Sequence, residues 1–129
     1  MQTHAKAVVI GGGVIGCSIL YHLTRLGWTD VVLLERNELT SGSTWHAAAN
    51  IHGLHDSTNI SRIQHYTMNL YKELEVETGQ GCGVFQPGSL YLAQTENREP
   101  QLRLQAAKAK YYGMNFYEVS RDEAERLHP

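Results

Sequence analysis

An α/β fold built on one parallel β-α-β unit is what this sequence predicts, and three features of the first 35 residues carry the expectation. Two short apolar runs, Ala7–Ile10 and Val31–Leu34, lack polar alternation and suit strands covered on both faces. Between them Ile15, Ile19, Leu20, Leu23 and Leu26 follow the three- and four-residue steps of an amphipathic helix. Gly11-Gly12-Gly13 separates the first run from that helix, and Gly27 stands where a C-terminal cap belongs. Strand, helix and strand in this order make a right-handed crossover.

The remaining elements follow in turn. Residues 36–58 are rich in Ser, Thr, Gly, Asn and His and keep no period, which in a compact domain marks a functional or disordered segment. A second helix is expected over 60–78. It places Ile60, Ile63, Thr67, Leu70 and Leu74 on one stripe, turns Arg62, Lys72, Glu73 and Glu77 away, and stops at Gly79. Gln86-Pro87-Gly88 is a turn signal between two extended pieces, 83–85 and 89–93. A surface helix is expected over 96–112, ended by Gly113, with a strand over 115–119. Ser120-Arg121-Asp122-Glu123 has the form of a capping box and opens a last helix limited by Pro129.

Composition narrows the function classes. With 129 residues, 42% hydrophobic and 19% charged, the chain has one domain's length and enough apolar material for a core. Eleven Lys and Arg stand against thirteen Asp and Glu, so no basic stripe is available for nucleic acid. The apolar stretch over 7–20 is broken by four glycines and falls short of the ~20 residues of a membrane span. Cys17 and Cys82 form neither a disulfide framework nor a zinc spacing. Met1-Gln2-Thr3-His4-Ala5-Lys6 lacks a secretory or Arg-rich leader pattern, and a reducing, cytoplasmic setting is the expectation. Leu127-His128-Pro129 comes soon after a helix start with no polar tail, so a piece of a longer chain is expected.

The chemistry-bearing motif is Gly11-Gly12-Gly13-Val14-Ile15-Gly16, a G-x-G-x-x-G string that follows a strand and opens a helix. Gly11 permits the tight turn, Gly13 lets backbone approach a pyrophosphate, and Gly16 lets helix and strand pack closely. Val14 and Ile15 begin the helix, whose free N–H groups and dipole favour the diphosphate. Glu35 ends the second strand, 19 residues after Gly16, where a carboxylate accepts hydrogen bonds from ribose hydroxyls and disfavours a 2′-phosphate. An NAD domain would run on into a helix and a third strand. Here a hydroxyl-rich loop and a run of small residues follow instead.

In that loop the sequence resembles the flavin-dependent amine oxidoreductases related to D-amino-acid oxidase, within them the dimethylglycine and sarcosine dehydrogenases. The resemblance rests on Val8-Val9-Ile10-Gly11-Gly12-Gly13, Tyr21-His22-Leu23, Val32-Leu33-Leu34-Glu35-Arg36 and Leu39-Thr40-Ser41-Gly42-Ser43-Thr44-Trp45-His46-Ala47-Ala48. It continues through Leu74-Glu75-Val76-Glu77-Thr78-Gly79 and Gln86-Pro87-Gly88-Ser89-Leu90 and covers nearly the whole chain. It implies a Rossmann-like FAD-binding core, its N-terminal part over 1–80, with the incomplete start of a mixed α+β substrate domain over 81–129. It further implies that His46 carries FAD covalently, through a ring nitrogen and the flavin 8α-methyl carbon. By position Arg36 lies near the adenosine, and Ser43 and Thr44 face the diphosphate or ribityl chain. The sequence departs from the family at Ala49-Asn50, where members often have Gly after the two alanines. A positive φ there would crowd Ala49.

The activity so implied is oxidative demethylation of a small N-methyl amine such as dimethylglycine or sarcosine. A hydride equivalent passes to the flavin, and water hydrolyses the resulting iminium to formaldehyde and the demethylated amine. Oxygen or an electron-acceptor protein reoxidises the flavin, and a processed eukaryotic chain would work in the mitochondrial matrix. No catalytic trio can be placed, because the family draws its substrate residues mainly from later segments; the chain alone is expected to be inactive. An inactive nucleotide-binding fragment or subunit is the alternative, ahead of an NAD-dependent dehydrogenase. His46, His52, His55 and Asp56 cluster in sequence but lack a metal-ligand pattern, so no metal site is expected. Cys17 is expected as a small buried residue of the first helix.

Overall fold

The structure is a computed structural model, and it describes residues 3–129. In chain order the elements are β1 (Ala7–Ile10), α1 (Val14–Arg25), β2 (Val31–Leu34), α2 (Thr58–Thr78), α3 (Arg98–Tyr111) and α4 (Arg121–Leu127). They fall into two compact units, Met1–Asn50 and Ile51–Pro129. This structural division falls at residue 50. The expected boundary at 80 is a functional one, between cofactor and substrate domains, and remains a proposal.

The first unit is the expected β-α-β crossover. β1 and β2 pair in parallel, from Ala7 opposite Val31 to Ile10 opposite Leu34, and the Gly11 N–H extends the ladder to the Leu34 carbonyl at 2.8 Å. α1 lies against both strands. Gly27, at φ +84°, turns the chain out of α1, and its N–H bonds the Thr24 carbonyl at 2.9 Å. The backbone N–H of Lys6 bonds the Asp30 carboxylate at 2.9 Å, fixing the start of β1 beside β2.

Burial departs from the expectation of strands covered on both faces. Val9 is buried, whereas Ile10 is 85% exposed and Val8 and Leu34 are about half exposed. Within this unit one helix covers one face of a two-stranded sheet, so alternate side chains remain open. Cys17 is likewise half-buried rather than buried; its thiol donates to the Gly12 carbonyl at 3.4 Å.

In the second unit α2 starts two residues before its expected position and ends on Gly79 at φ +69°, whose N–H reaches the Glu75 carbonyl. The buried position of α2 is Ser61, not the predicted Ile63, which is 64% exposed. The Ser61 hydroxyl accepts from the His55 N–H at 2.8 Å and donates to the His55 carbonyl at 2.9 Å. Two hydrogen bonds make that buried hydroxyl tolerable and clip the preceding loop to the helix.

α3 carries the fully buried Ala109, and Gly113, at φ +73°, follows its end. The Tyr112 hydroxyl bonds Thr58 Oγ1 at 2.7 Å, joining the end of α3 to the start of α2. Ser120 caps α4 as expected, its hydroxyl accepting from the Glu123 N–H at 3.2 Å. The extended pieces over 83–85, 89–93 and 115–119 are not strands. Side chains rather than a hydrogen-bonded ladder tether the last two: Tyr91 and Phe116 have ring centroids 5.6 Å apart, and Glu118 lies 3.7 Å from Arg103 of α3.

Candidate cofactor site

The glycine loop shows why its sequence cannot be ordinary. Gly11 takes φ +101°, a backbone region L-residues avoid, with open space where a Cβ would point. At Gly16 a Cβ would run into the Gly11 carbonyl oxygen, so the start of α1 sits on the loop only because that carbon is missing. At Gly13 a Cβ would stand 3.0 Å from Thr44 Oγ1. The motif gave Gly12 no role, yet this glycine is buried, and a Cβ there would meet Leu39 and lie 3.1 Å from Glu35 Cβ.

Glu35 reaches from the end of β2 back to this loop. One carboxylate oxygen accepts from the Gly12 N–H at 2.7 Å and the other from the Asn37 N–H at 2.8 Å. The Gly12 bond chiefly, then the Asn37 bond, hold its carboxyl below the usual carboxylate range. A carboxylate offers about four acceptor directions, so two remain for hydroxyl donors such as those of a ribose.

The segment after Glu35 is a chain of tight turns fastened to the loop. The Thr40 N–H bonds the Gly12 carbonyl at 2.9 Å, and the Thr44 hydroxyl accepts from the Val14 N–H at 2.9 Å. That second bond corrects the expectation that the first amides of α1 are all free: the Val14 amide is engaged. The Trp45 N–H reaches the Thr40 carbonyl at 3.1 Å, and the His46 N–H reaches the Ser43 carbonyl at 3.2 Å. Thr40 at φ +64° and Ala49 at φ +56° occupy the left-handed region, so the suspected crowding at Ala49 is real backbone strain.

His46 stands exposed, with Nδ1 2.9 Å from the Gly42 carbonyl oxygen. A carbonyl can only accept, so Nδ1 is the donor, and in the neutral ring Nε2 is the nitrogen with the lone pair.

An open groove of about 540 Å³ runs over the loop. Gly11, Gly13, Val14, Ile15, Gly16, Glu35, Arg36, Ser43 and Thr44 line it, which brings together nine of the ten predicted cofactor residues. His46 is not in that lining, although its neighbour Ala47 is. Thr40, Ser41 and Asn37 line the groove too; the motif gives no reason to single them out, since only the folded turns bring them there. His55 and Asp56 lie in the second unit, on a small pocket of about 160 Å³ with Lys108, whose ammonium is 3.4 Å from the Asp56 carboxylate. Among the described residues no three His, Cys, Asp or Glu side chains gather as a metal site, and no helix is long and apolar enough to cross a membrane.

A parallel β-α-β unit with a constricted glycine loop, an acidic residue closing the second strand and a groove over the helix start defines a dinucleotide-binding protein. Residues 6–129 match the FAD dependent oxidoreductase family, and the chain belongs to that family. It is 42% identical over 99% of its length to rat (Rattus norvegicus) mitochondrial dimethylglycine dehydrogenase, covering 15% of that protein. It is 40% identical over its full length to human (Homo sapiens) mitochondrial sarcosine dehydrogenase, covering 14% of that protein. Among solved structures it resembles glycine oxidase from Bacillus cereus, with TM-score 0.70, 21% identity, 95% of this chain and 35% of that chain covered. That likeness fixes the fold. The family supports FAD as the cofactor, and the residues present fit it. The open Gly11 turn, the contact at Gly16 and the spare acceptor sites of Glu35 match a diphosphate and a ribose.

Proposed function

We propose that this chain is the cofactor-holding part of an FAD-dependent oxidoreductase that demethylates small N-methyl amines such as dimethylglycine or sarcosine. The observation that carries this reading is the fastening of the segment bearing Thr44 and His46 onto the glycine loop, in a chain about 40% identical to two dehydrogenases of such amines. Gly11, Gly13 and Gly16 admit backbone to the diphosphate, and the start of α1 supplies its dipole. Val14 and Ile15 cover the groove floor. Glu35 holds the ribose hydroxyls, Arg36 lies beside the adenosine, and Ser43 and Thr44 offer hydroxyls to the diphosphate or ribityl chain. When bound, the flavin supplies the two-electron acceptance that amine oxidation needs.

His46 is the proposed point of covalent attachment, and its Gly42 bond selects Nε2 as the nucleophilic atom. Attachment there would exchange one C–H bond of the flavin 8α-methyl group for a C–N bond to Nε2, with the proton going to solvent and the electron pair to the acceptor that reoxidises the flavin. That acceptor is oxygen or an electron-transfer protein. The mitochondrial names of both dehydrogenases favour the matrix for a eukaryotic source.

The test is tryptic digestion of the full-length protein, in which residues 37–62 form one peptide containing His46. The expected result is a yellow peptide heavier by one flavin adduct on His46, together with formaldehyde release from dimethylglycine or sarcosine. A colourless protein that binds NADH, or one that holds FAD but leaves both amines unchanged, would overturn the reading.

A further inference from the structure

We propose that Thr44 is a positioning residue, whose hydroxyl anchors the His46-bearing turn to the first amide of α1 and so sets where His46 stands relative to the glycine loop. The inference rests on the reading above only for what His46 does; the anchoring itself stands on geometry.

Two hydrogen bonds fasten the turn segment to the loop. The Thr40 N–H donates to the Gly12 carbonyl, and the Val14 N–H donates to Thr44 Oγ1, each at 2.9 Å. Between these anchors lies Gly42, whose carbonyl holds the His46 ring at 2.9 Å. The position of His46 is therefore set through Gly42 by points fixed on residues 12 and 14. Removing the Thr44 anchor frees the side of the turn nearer His46, while the Thr40 anchor remains.

The chemistry of a hydroxyl suits this task. Thr44 Oγ1 accepts from the helix amide, which leaves its own O–H free to donate into the groove, and Thr44 lines that groove. One side chain thus satisfies an amide that a helix start leaves without an intrahelical partner, and it passes a donor on toward an anion. Gly13 belongs to the same device, because a Cβ at that position would come within 3.0 Å of Thr44 Oγ1 and push the hydroxyl off Val14.

The experiment compares the full-length protein with T44V, which keeps the shape and loses the hydroxyl, and with T44S, which restores it. Hydrogen exchange is measured over residues 10–16 and 40–47 without cofactor, followed by the rate at which acid-stable flavin forms after FAD is added. T44V should exchange about fivefold faster in both stretches and form acid-stable flavin about fivefold more slowly, the factor for one net hydrogen bond. T44S should stay close to the unsubstituted protein in both. Exchange in T44V equal to the unsubstituted protein, or T44S as fast as T44V, overturns the proposal. If T44V does not fold, the Val14 amide decides by NMR: protection supports the anchor, and exchange at the unstructured rate overturns it. Absence of acid-stable flavin in the unsubstituted protein overturns the covalent reading, while the exchange data still decide the role of Thr44.

Discussion

Glu35 braces the glycine loop through the Gly12 and Asn37 amides, and its remaining acceptor directions are those the proposed function gives to a ribose. Those amides lower its pKa in the folded chain below the ordinary 4.5, so it contributes stability above about pH 4.5 that is lost as pH falls through the folded value. E35Q should therefore be the less stable protein at neutral pH, with the gap closing as the solution is acidified. Melting temperature of both proteins against pH checks this, and parallel acid limbs would contradict it. Ala49 offers a test of opposite sign. Its left-handed φ costs about 1–2 kcal/mol, which glycine avoids, whereas glycine's freedom in the unfolded chain takes back about 0.5–1 kcal/mol. A49G should leave stability unchanged or slightly raised, while the control A107G, on the exposed face of α3, should lose about 1 kcal/mol. Denaturant midpoints compare the two variants, and equal losses would mean that Ala49 is unstrained.

Elements governed by neighbouring residues were legible in the sequence. β1, β2 and the caps at Gly27, Gly79, Gly113 and Ser120 stand where period and turn chemistry put them. Loss of the Ser120 cap in S120A should cost α4 about 1 kcal/mol and speed hydrogen exchange over residues 121–127, leaving α3 unchanged. Elements that need a distant partner were not legible. The segments over 89–93 and 115–119 have strand-like composition, but a strand exists only when another backbone pairs with it, and here ring and charge contacts take that place. Of the α2 stripe, Leu70 and Leu74 are half-buried, whereas Ile60 and Ile63 at its start are exposed. The stripe missed Ser61, because a buried hydroxyl depends on the loop at His55 that satisfies it. The proposed cofactor residues split the same way: Gly11, Gly13, Gly16 and Glu35 were singled out by motif spacing, whereas the Thr44–Val14 bond joins residues 30 apart and leaves no local signal.

Across the whole molecule, apolar surface is conspicuous for a chain of this length. Ile10, Val76 and Phe85 are each at least 85% exposed, and among the described residues Val9 and Ala109 are the hydrophobic side chains that reach burial. So little buried apolar area gives weak cooperativity. Prepared as these 129 residues alone, the chain should bind a hydrophobic dye and melt broadly; a sharp two-state transition without dye binding would contradict that expectation. Family membership, the groove over α1 and the fastened His46 segment all bear on one claim, that FAD lies along the first unit. A crystal structure of the full-length protein with FAD tests it most directly. The predicted result places the diphosphate on the start of α1 and the Thr44 hydroxyl, the ribose on Glu35, and the flavin ring at His46 Nε2. FAD bound away from the glycine loop, or a flavin ring remote from His46, would contradict the account.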